Sequence, residues 1–421
     1  MSTENLNPFA IERRAIPCWA PFALGAIDRV VDALKISGGS ISAPKLMRIA
    51  QRRTGLSDFG DIAIEEPLDR LVSSYADEAN LNVFGRVAAR WDMLRFLSNL
   101  LRLRAAEKQS PAILDQPIKR PIFITGLPRS ATSFLHNLFA QDPANRTVRC
   151  WETIYPYPED RRADPRRDPR PAKVERQLAS FMKLAPEIRS IHPIDAYSPQ
   201  ECSEITGHVF RSLRFDTTHR VPSYRAWLDG AGHRAAYRFH RRFLQHMQYA
   251  KGEGQWVVKC PDHVFALDAI REIYPDARIV FMHRNPLEVL PSVAKLTEVL
   301  RRPFTRSIDR VEIGQQIKAR WTRGAAILVN EAMNSSSTAK DVVHLDFRKL
   351  LKDPVGNLAI LYERFGLPFS AELTMRLCAY MAERPNGGYG LNAVRPADYG
   401  LERELDRRAF RDYMDYFGFN G

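Results

Sequence analysis

The feature that most narrows the possible folds is a change of period at Arg120. Pro121-Ile-Phe-Ile-Thr125 is a short, continuously apolar run that enters the Gly126-Leu-Pro-Arg129 turn, and from Ser130 to Gln141 the apolar residues Phe134, Leu135, Leu138 and Phe139 return at helical spacing. A buried strand, a tight loop and a helix in that order form the first half of a βαβ unit. Two more apolar strands are expected at Gln255–Lys259 and Ala277–His283, joined by a helix from Val264 to Tyr274. A fourth is expected at Asp341–Leu345, before a helix from Val355 to Phe365 that stops at Gly366. Strands alternating with helices give an α/β fold: a parallel sheet with helices on both faces.

Residues 1–117 lack this alternation and read as a helical N-terminal extension or lid, with helices expected at Ala26–Leu34 and across Val87–Leu103 and breaks at Gly38-Gly39 and from Gly55 to Glu65. Residues 118–421 then form the α/β domain, with insertions at about 150–250. Glu159–Glu175, crowded with Arg, Asp and Pro, reads as a solvated loop, and Ala231–Ala250 as a basic amphipathic helix. Its His233, His240 and His246 do not fall at the H-x-x-x-H spacing of a zinc site, so no metal is expected.

With 421 residues, 45% hydrophobic and 26% charged, the chain can bury a core without staples, and its five widely spaced cysteines contain no C-x-x-C pair. That usage suits a reducing, cytoplasmic setting. The most apolar early stretch, Ile16 to Ile27, carries two prolines and is too short to span a bilayer. A formal charge of +13 favours anionic partners. It allows peripheral membrane contact, but no interleaved aromatics or groove-reading motif indicates nucleic acid. The sequence sets no oligomeric state.

A loop between a buried strand and a helix aims successive backbone N–H groups at one point, where the helix dipole also favours an anion. Gly126 permits the sharp turn, Pro128 and Ser130 lie within it, Arg129 adds charge, and Thr132 and Ser133 offer hydroxyls at the helix start. A phosphate suits such a loop. The ATP/GTP loop needs a Lys just before its hydroxyl residue, and here that place holds Ala131, so an ATP-dependent kinase on a related fold is the second choice. A second anion site is expected where Arg284 closes a strand and Asn285, Pro286 and Glu288 open a helix that carries Ser292 two turns on.

Together these residues resemble the sulfotransferases that use 3′-phosphoadenosine 5′-phosphosulfate (PAPS), and most closely their bacterial branch. The Gly126–Ser133 loop is similar to their 5′-phosphosulfate loop, Arg284…Ser292 to their 3′-phosphate motif, and Val257–His263 to their Lys-x-His region. Trp151-Glu152, Val221–Tyr224 with Trp227-Leu228, and Tyr274–Val280 extend the likeness over roughly residues 80 to 420. Two departures stand out. Ala131 replaces a customary Gly, and the Gly-rich C-terminal clamp of the best-known members is missing, leaving Asn386-Gly387-Gly388 or Arg395 as substitutes.

The resemblance implies a P-loop-like sheet, PAPS as co-substrate without a metal, and transfer of a sulfuryl group to a hydroxyl or amine. It assigns Gly126, Pro128, Arg129, Ser130, Ala131, Thr132 and Ser133 to the 5′-phosphosulfate and Arg284 and Ser292 to the 3′-phosphate. Lys259 and Arg129 would stabilise the leaving oxygen. His263 is the favoured base, although it lies four residues after Lys259 rather than two; Glu201 is next, with Glu204, Glu152 and His192 also in reach. Trp151, Tyr155, Tyr157, Tyr197, Phe210 and Trp227 suggest a hydrophobic pocket for a small-molecule or lipid acceptor.

Overall fold

A computed structural model of the chain describes residues 16–17, 42–157, 168–334, 341–384 and 394–419. Its strands are β1 (Ile16–Pro17), β2 (Ile122–Gly126), β3 (Asn145–Arg146), β4 (Gln255–Lys259), β5 (Arg278–His283), β6 (Ser307–Ile308) and β7 (Val342–Asp346). Five of them form one sheet in the order β3-β4-β2-β5-β7, every pair parallel, and β1 pairs antiparallel with β6 apart from it. The four expected sheet strands are present. The fifth, β3, is two residues long and too short to leave a period in the sequence.

Alternation along the strands sends side chains to two apolar layers. Ile122, Ile124, Val257, Val280 and Met282 meet the helices Thr132–Phe139, Pro354–Phe365 and Ala371–Glu383 on one face. Phe123, Val258, Ile279 and Phe281 face the other way, into a larger cluster. That cluster also takes in Leu46, Leu71, Phe96 and Leu100 from the helices Ala43–Thr54, Glu65–Asp77 and Val83–Gln109. The sheet is thus buried on both sides, as its unbroken apolar strands require.

The helix-stop signals act as expected: Gly55 and Gly366 sit in the left-handed region after Thr54 and Phe365. Asn285 caps the Pro286–Arg301 helix by accepting from the Leu287 N–H at 3.0 Å. The expected Ala26–Leu34 helix and the Gly38-Gly39 break lie outside the described residues. One expectation needs correction: the segment read as a loop from Glu159 to Glu175 already contains the start of a helix, Arg170–Leu184. Pro171 is preset for a first helical turn, and Asp168 accepts from the Arg170 N–H, so the proline-rich composition marks a helix start. Among the described residues, no helix is long and apolar enough to cross a membrane.

Gly126, the last residue of β2, is the tightest point of the sheet. Its φ is +129°, and a Cβ there would stand 2.1 Å from the Met282 carbonyl oxygen of β5. Only glycine lets the strand turn into the loop while staying paired with its neighbour. Gly126→Ala is therefore expected to destabilise the chain by about 3 kcal/mol or more, read from the midpoint of urea unfolding.

Candidate active site

All parallel strands deliver their C-terminal ends to one edge, so Gly126, Lys259, His283 and Asp346 finish side by side. The β2–helix loop is wound tightly there. Arg129 (φ 60°) and Ala131 (φ 64°) both occupy the left-handed region, and Ala131 forms the N-cap of the Thr132–Phe139 helix without any side-chain cap. The first N–H groups of that helix consequently open toward the sheet edge. Ser130 is buried and ties its hydroxyl back to the Leu127 carbonyl, so it braces the loop from within.

The two anion motifs meet directly. Arg129 donates through Nε to the Ser292 hydroxyl at 3.0 Å, and Arg284 donates through its guanidinium to the Arg129 carbonyl at 2.7 Å. Arg284 also bonds the Glu288 carboxylate and lies 4.2 Å from the centre of the Phe347 ring, in cation–π contact. Arg129 further donates to the Ile191 carbonyl at 2.8 Å, which fastens the short Ile188–Ile191 helix to the loop.

Lys259 is buried at the end of β4 and donates to the Ser133 hydroxyl at 3.0 Å and to Glu201 at 2.6 Å. Glu201 lies alongside, joined to Lys259 by a parallel bridge. Burial pushes the Glu201 carboxyl up, but the charge of Lys259 and its hydrogen bond outweigh it, leaving the group below its ordinary value. His192, half-buried beside them, is pushed down to about 4, first by burial and then by the positive charge of Lys259 and Arg129. At neutral pH the site thus holds an ionised carboxylate, an ammonium and a neutral imidazole.

His263 is not part of that group. A 3-10 turn, Pro261–Ala266, follows β4 and carries the ring into the interior, where it is fully buried. Its Nδ1 is hydrogen-bonded to the Tyr237 hydroxyl, and its ring meets Phe123 edge-on at 5.0 Å. Burial holds its pKa well below the ordinary histidine value, and Nε2, shut off from solvent, has no hydrogen-bond partner. The offset of four residues from Lys259 reflects this turn. His263 packs the core behind the sheet edge.

Two other expected bases are also engaged elsewhere. Glu204 pairs with Arg95 and Arg214, and Glu152 accepts from the Arg149 N–H and pairs with Lys251. Of the aromatics expected to line a pocket, Phe210 is wholly buried among Phe96 and Phe215, Trp151 carries Arg170 over its ring, and Tyr197 is exposed. Arg395 pairs with Asp398 on the surface, and Asn386-Gly387-Gly388 lie outside the described residues. Asp262, which sequence reasoning passed over, is half-buried after β4, and burial together with repulsion from Glu201 pushes its carboxyl up to about 7. Its position one turn past the end of a core strand was the available signal. Among the described residues, no group of His, Cys, Asp and Glu is arranged to hold a metal ion.

A sequence model of the sulfotransferase family matches residues 121–371, which span β2 through β7 and every residue of this cluster. The sulfotransferase STF1 of Mycobacterium tuberculosis H37Rv is 30% identical; its crystal structure aligns with a TM-score of 0.76, covering 88% of this chain and 98% of its own. STF9 of Mycobacterium avium is 26% identical with a TM-score of 0.80, covering 90% and 97%. The omega-hydroxy-beta-dihydromenaquinone-9 sulfotransferase Stf3 of Mycobacterium bovis is 23% identical over 288 residues, 62% of this chain and 67% of that protein. The chain belongs to the sulfotransferase family and is a sulfotransferase enzyme.

The left-handed Ala131 carries a steric cost that glycine would not. Ala131→Gly is expected to raise stability by about 1 kcal/mol, measured as an increase in the urea midpoint at unchanged slope.

Proposed function

We propose that this sulfotransferase moves the sulfuryl group of PAPS to the hydroxyl of an apolar acceptor. The observation that carries the reading is the Arg284–Arg129–Ser292 network, which unites the two anion motifs on one sheet edge. A nucleotide with phosphates at both the 5′ and 3′ positions of its ribose matches such a pair. Arg129 and the loop from Gly126 through Pro128, Ser130, Ala131, Thr132 and Ser133 take the 5′-phosphosulfate; Arg284 and Ser292 take the 3′-phosphate. In this reading residues 118–421 bind the donor, and the helices Ala43–Thr54, Glu65–Asp77 and Val83–Gln109 wall the acceptor side.

The chemistry follows from the charges. The acceptor oxygen attacks sulfur in line as the bond from sulfur to the 5′-phosphate oxygen breaks, and negative charge gathers on that leaving oxygen. Lys259, Arg129 and the opening N–H groups of the Thr132–Phe139 helix supply the positive field there. The acceptor proton passes to Glu201, the carboxylate held beside Lys259 at 2.6 Å. As the leaving oxygen gains charge it draws Lys259 toward itself, which weakens the hold on Glu201 and makes it a stronger base. Sulfate ester and adenosine 3′,5′-bisphosphate (PAP) are the products.

An apolar acceptor is supported from two sides. Ile191, whose carbonyl binds Arg129, packs its side chain with Ile188 and Val299 against Phe181, Leu296 and Leu300, so an apolar cluster adjoins the charged site. Stf3, by its name, acts on omega-hydroxy-beta-dihydromenaquinone-9. A terminal hydroxyl on a lipid or isoprenoid chain is the acceptor class proposed here.

Thermal-shift measurements with PAP, ADP and ATP test the donor: stabilisation by PAP well above that by ADP or ATP is expected, and equal shifts would refute the two-phosphate site. Glu201→Gln tests the base. It is expected to lower turnover about a hundredfold or more while PAP affinity stays within a few-fold of the parent, and turnover close to that of the parent would remove Glu201 from the role.

A further inference from the structure

The helix Ala43–Thr54 buries Leu46 and Ala50 and leaves Lys45, Arg48, Arg52 and Arg53 exposed. It contains no acidic residue, and among the described residues none of these four cations has an ion-pair partner. Lys45, Arg48 and Arg52 stand at i, i+3 and i+7 and so share one side of the helix. The nearest acidic residues in sequence are already taken: Asp58 by Arg104 at 3.2 Å and Lys108 at 2.6 Å, and Asp61 by Arg242.

The Asp58 pairs also fix how this helix lies. Its C-terminal end is held at Arg104 and Lys108, near the end of the Val83–Gln109 helix on which it packs, so it runs back along that helix. Its 12 residues cover about 18 Å, which brings its start level with Trp91. Trp91 and Val87, one turn apart, are 43% and 62% exposed. Arg90 beside them is exposed as well, with no ion-pair partner among the described residues. Trp91 is in turn linked to the active site. The Arg95 guanidinium lies 5.5 Å from the centre of its ring and pairs with Glu204 at 2.5 Å, and the Glu204 N–H donates to the Glu201 carbonyl at 3.1 Å.

We infer that this face docks the enzyme on an anionic lipid bilayer. Unpaired lysine and arginine gain from anionic headgroups, and an indole beside them sits at headgroup level. Val87 favours lipid over nucleic acid, because a branched aliphatic side chain gains from acyl chains and nothing from a phosphate backbone. The docking is peripheral. The inference deepens the apolar-acceptor reading and rests on it for the purpose of docking: a lipid alcohol has to be drawn from a membrane, and the Arg95–Glu204 pair sets the docked face beside the helix that opens at Glu201.

The test is co-sedimentation of the full chain with vesicles of phosphatidylcholine, alone or with about one third phosphatidylglycerol. Binding to the anionic vesicles only, falling steeply as salt is raised, is expected. Lys45→Gln, Arg48→Gln and Arg52→Gln together are expected to weaken it about a hundredfold, about fivefold for each cation. Val87→Glu is expected to weaken it about tenfold. Arg403→Gln, Arg408→Gln and Arg411→Gln remove the same charge from exposed positions of the C-terminal helices, and their joint loss is expected to stay within about threefold. All three variants keep the thermal shift with PAP, and their turnover of a soluble short-chain alcohol stays within about twofold of the parent. Absence of binding to anionic vesicles, or an equal loss in the C-terminal variant, refutes the inference. Preference for duplex DNA over the vesicles, lost with Lys45, Arg48 and Arg52, would assign the face to nucleic acid and refute it equally. In each of these cases the donor and acceptor assignments stand. If the vesicles bind as expected but no apolar alcohol is sulfated, the acceptor reading fails and the docking face remains.

Discussion

The hydrogen bond from the Arg284 guanidinium to the Arg129 carbonyl, 2.7 Å long, joins two segments 155 residues apart and turns two weak anion motifs into one site. Neither half suffices alone: a βα loop with an arginine is a common turn, and a strand-ending arginine before a capped helix is equally common. Their union depends on β2 and β5 being adjacent and parallel with Gly126 opposite Met282. The glycine permits that approach, and the left-handed Arg129 turns its carbonyl toward the partner strand. The backbone of the loop thus sets the charge geometry.

Lys259 and Glu201 form the second fixed element. A buried ammonium and a half-buried carboxylate are each costly alone, and the pair persists because each charge compensates the other and Lys259 also donates to Ser133. The site is therefore preorganised in charge before any nucleotide binds. His192 remains neutral in the same field chiefly because it is buried, with Lys259 and Arg129 adding to the effect against the opposing charge of Glu201.

Much of the sheet was legible because buried parallel strands are written as continuous apolar runs. Gln255–Lys259 has the expected bounds, β5 starts one residue later than expected, and β2 and β7 are each displaced by one residue at both ends. What escaped has local physical reasons. Two-residue β3 carries no period. The Arg170 helix begins inside a Pro-, Asp- and Arg-rich stretch whose composition resembles a loop. His263 follows a core strand, as a base would, but a 3-10 turn rotates it onto Phe123. Tyr413 lies 130 residues from His283, and a contact at that separation leaves no trace in a single sequence.

The tie between Arg129 and the Ile191 carbonyl has an energetic corollary. This guanidinium is bonded to the main chain, so on the proposed reading an incoming sulfate oxygen competes with a peptide group of the protein itself. Any exchange of partners at Arg129 loosens the 188–191 turn and the greasy cluster behind it. On the proposed reading, thermodynamic reciprocity then couples the two: whatever holds the 188–191 turn to Arg129 weakens the grip on the nucleotide by the same factor.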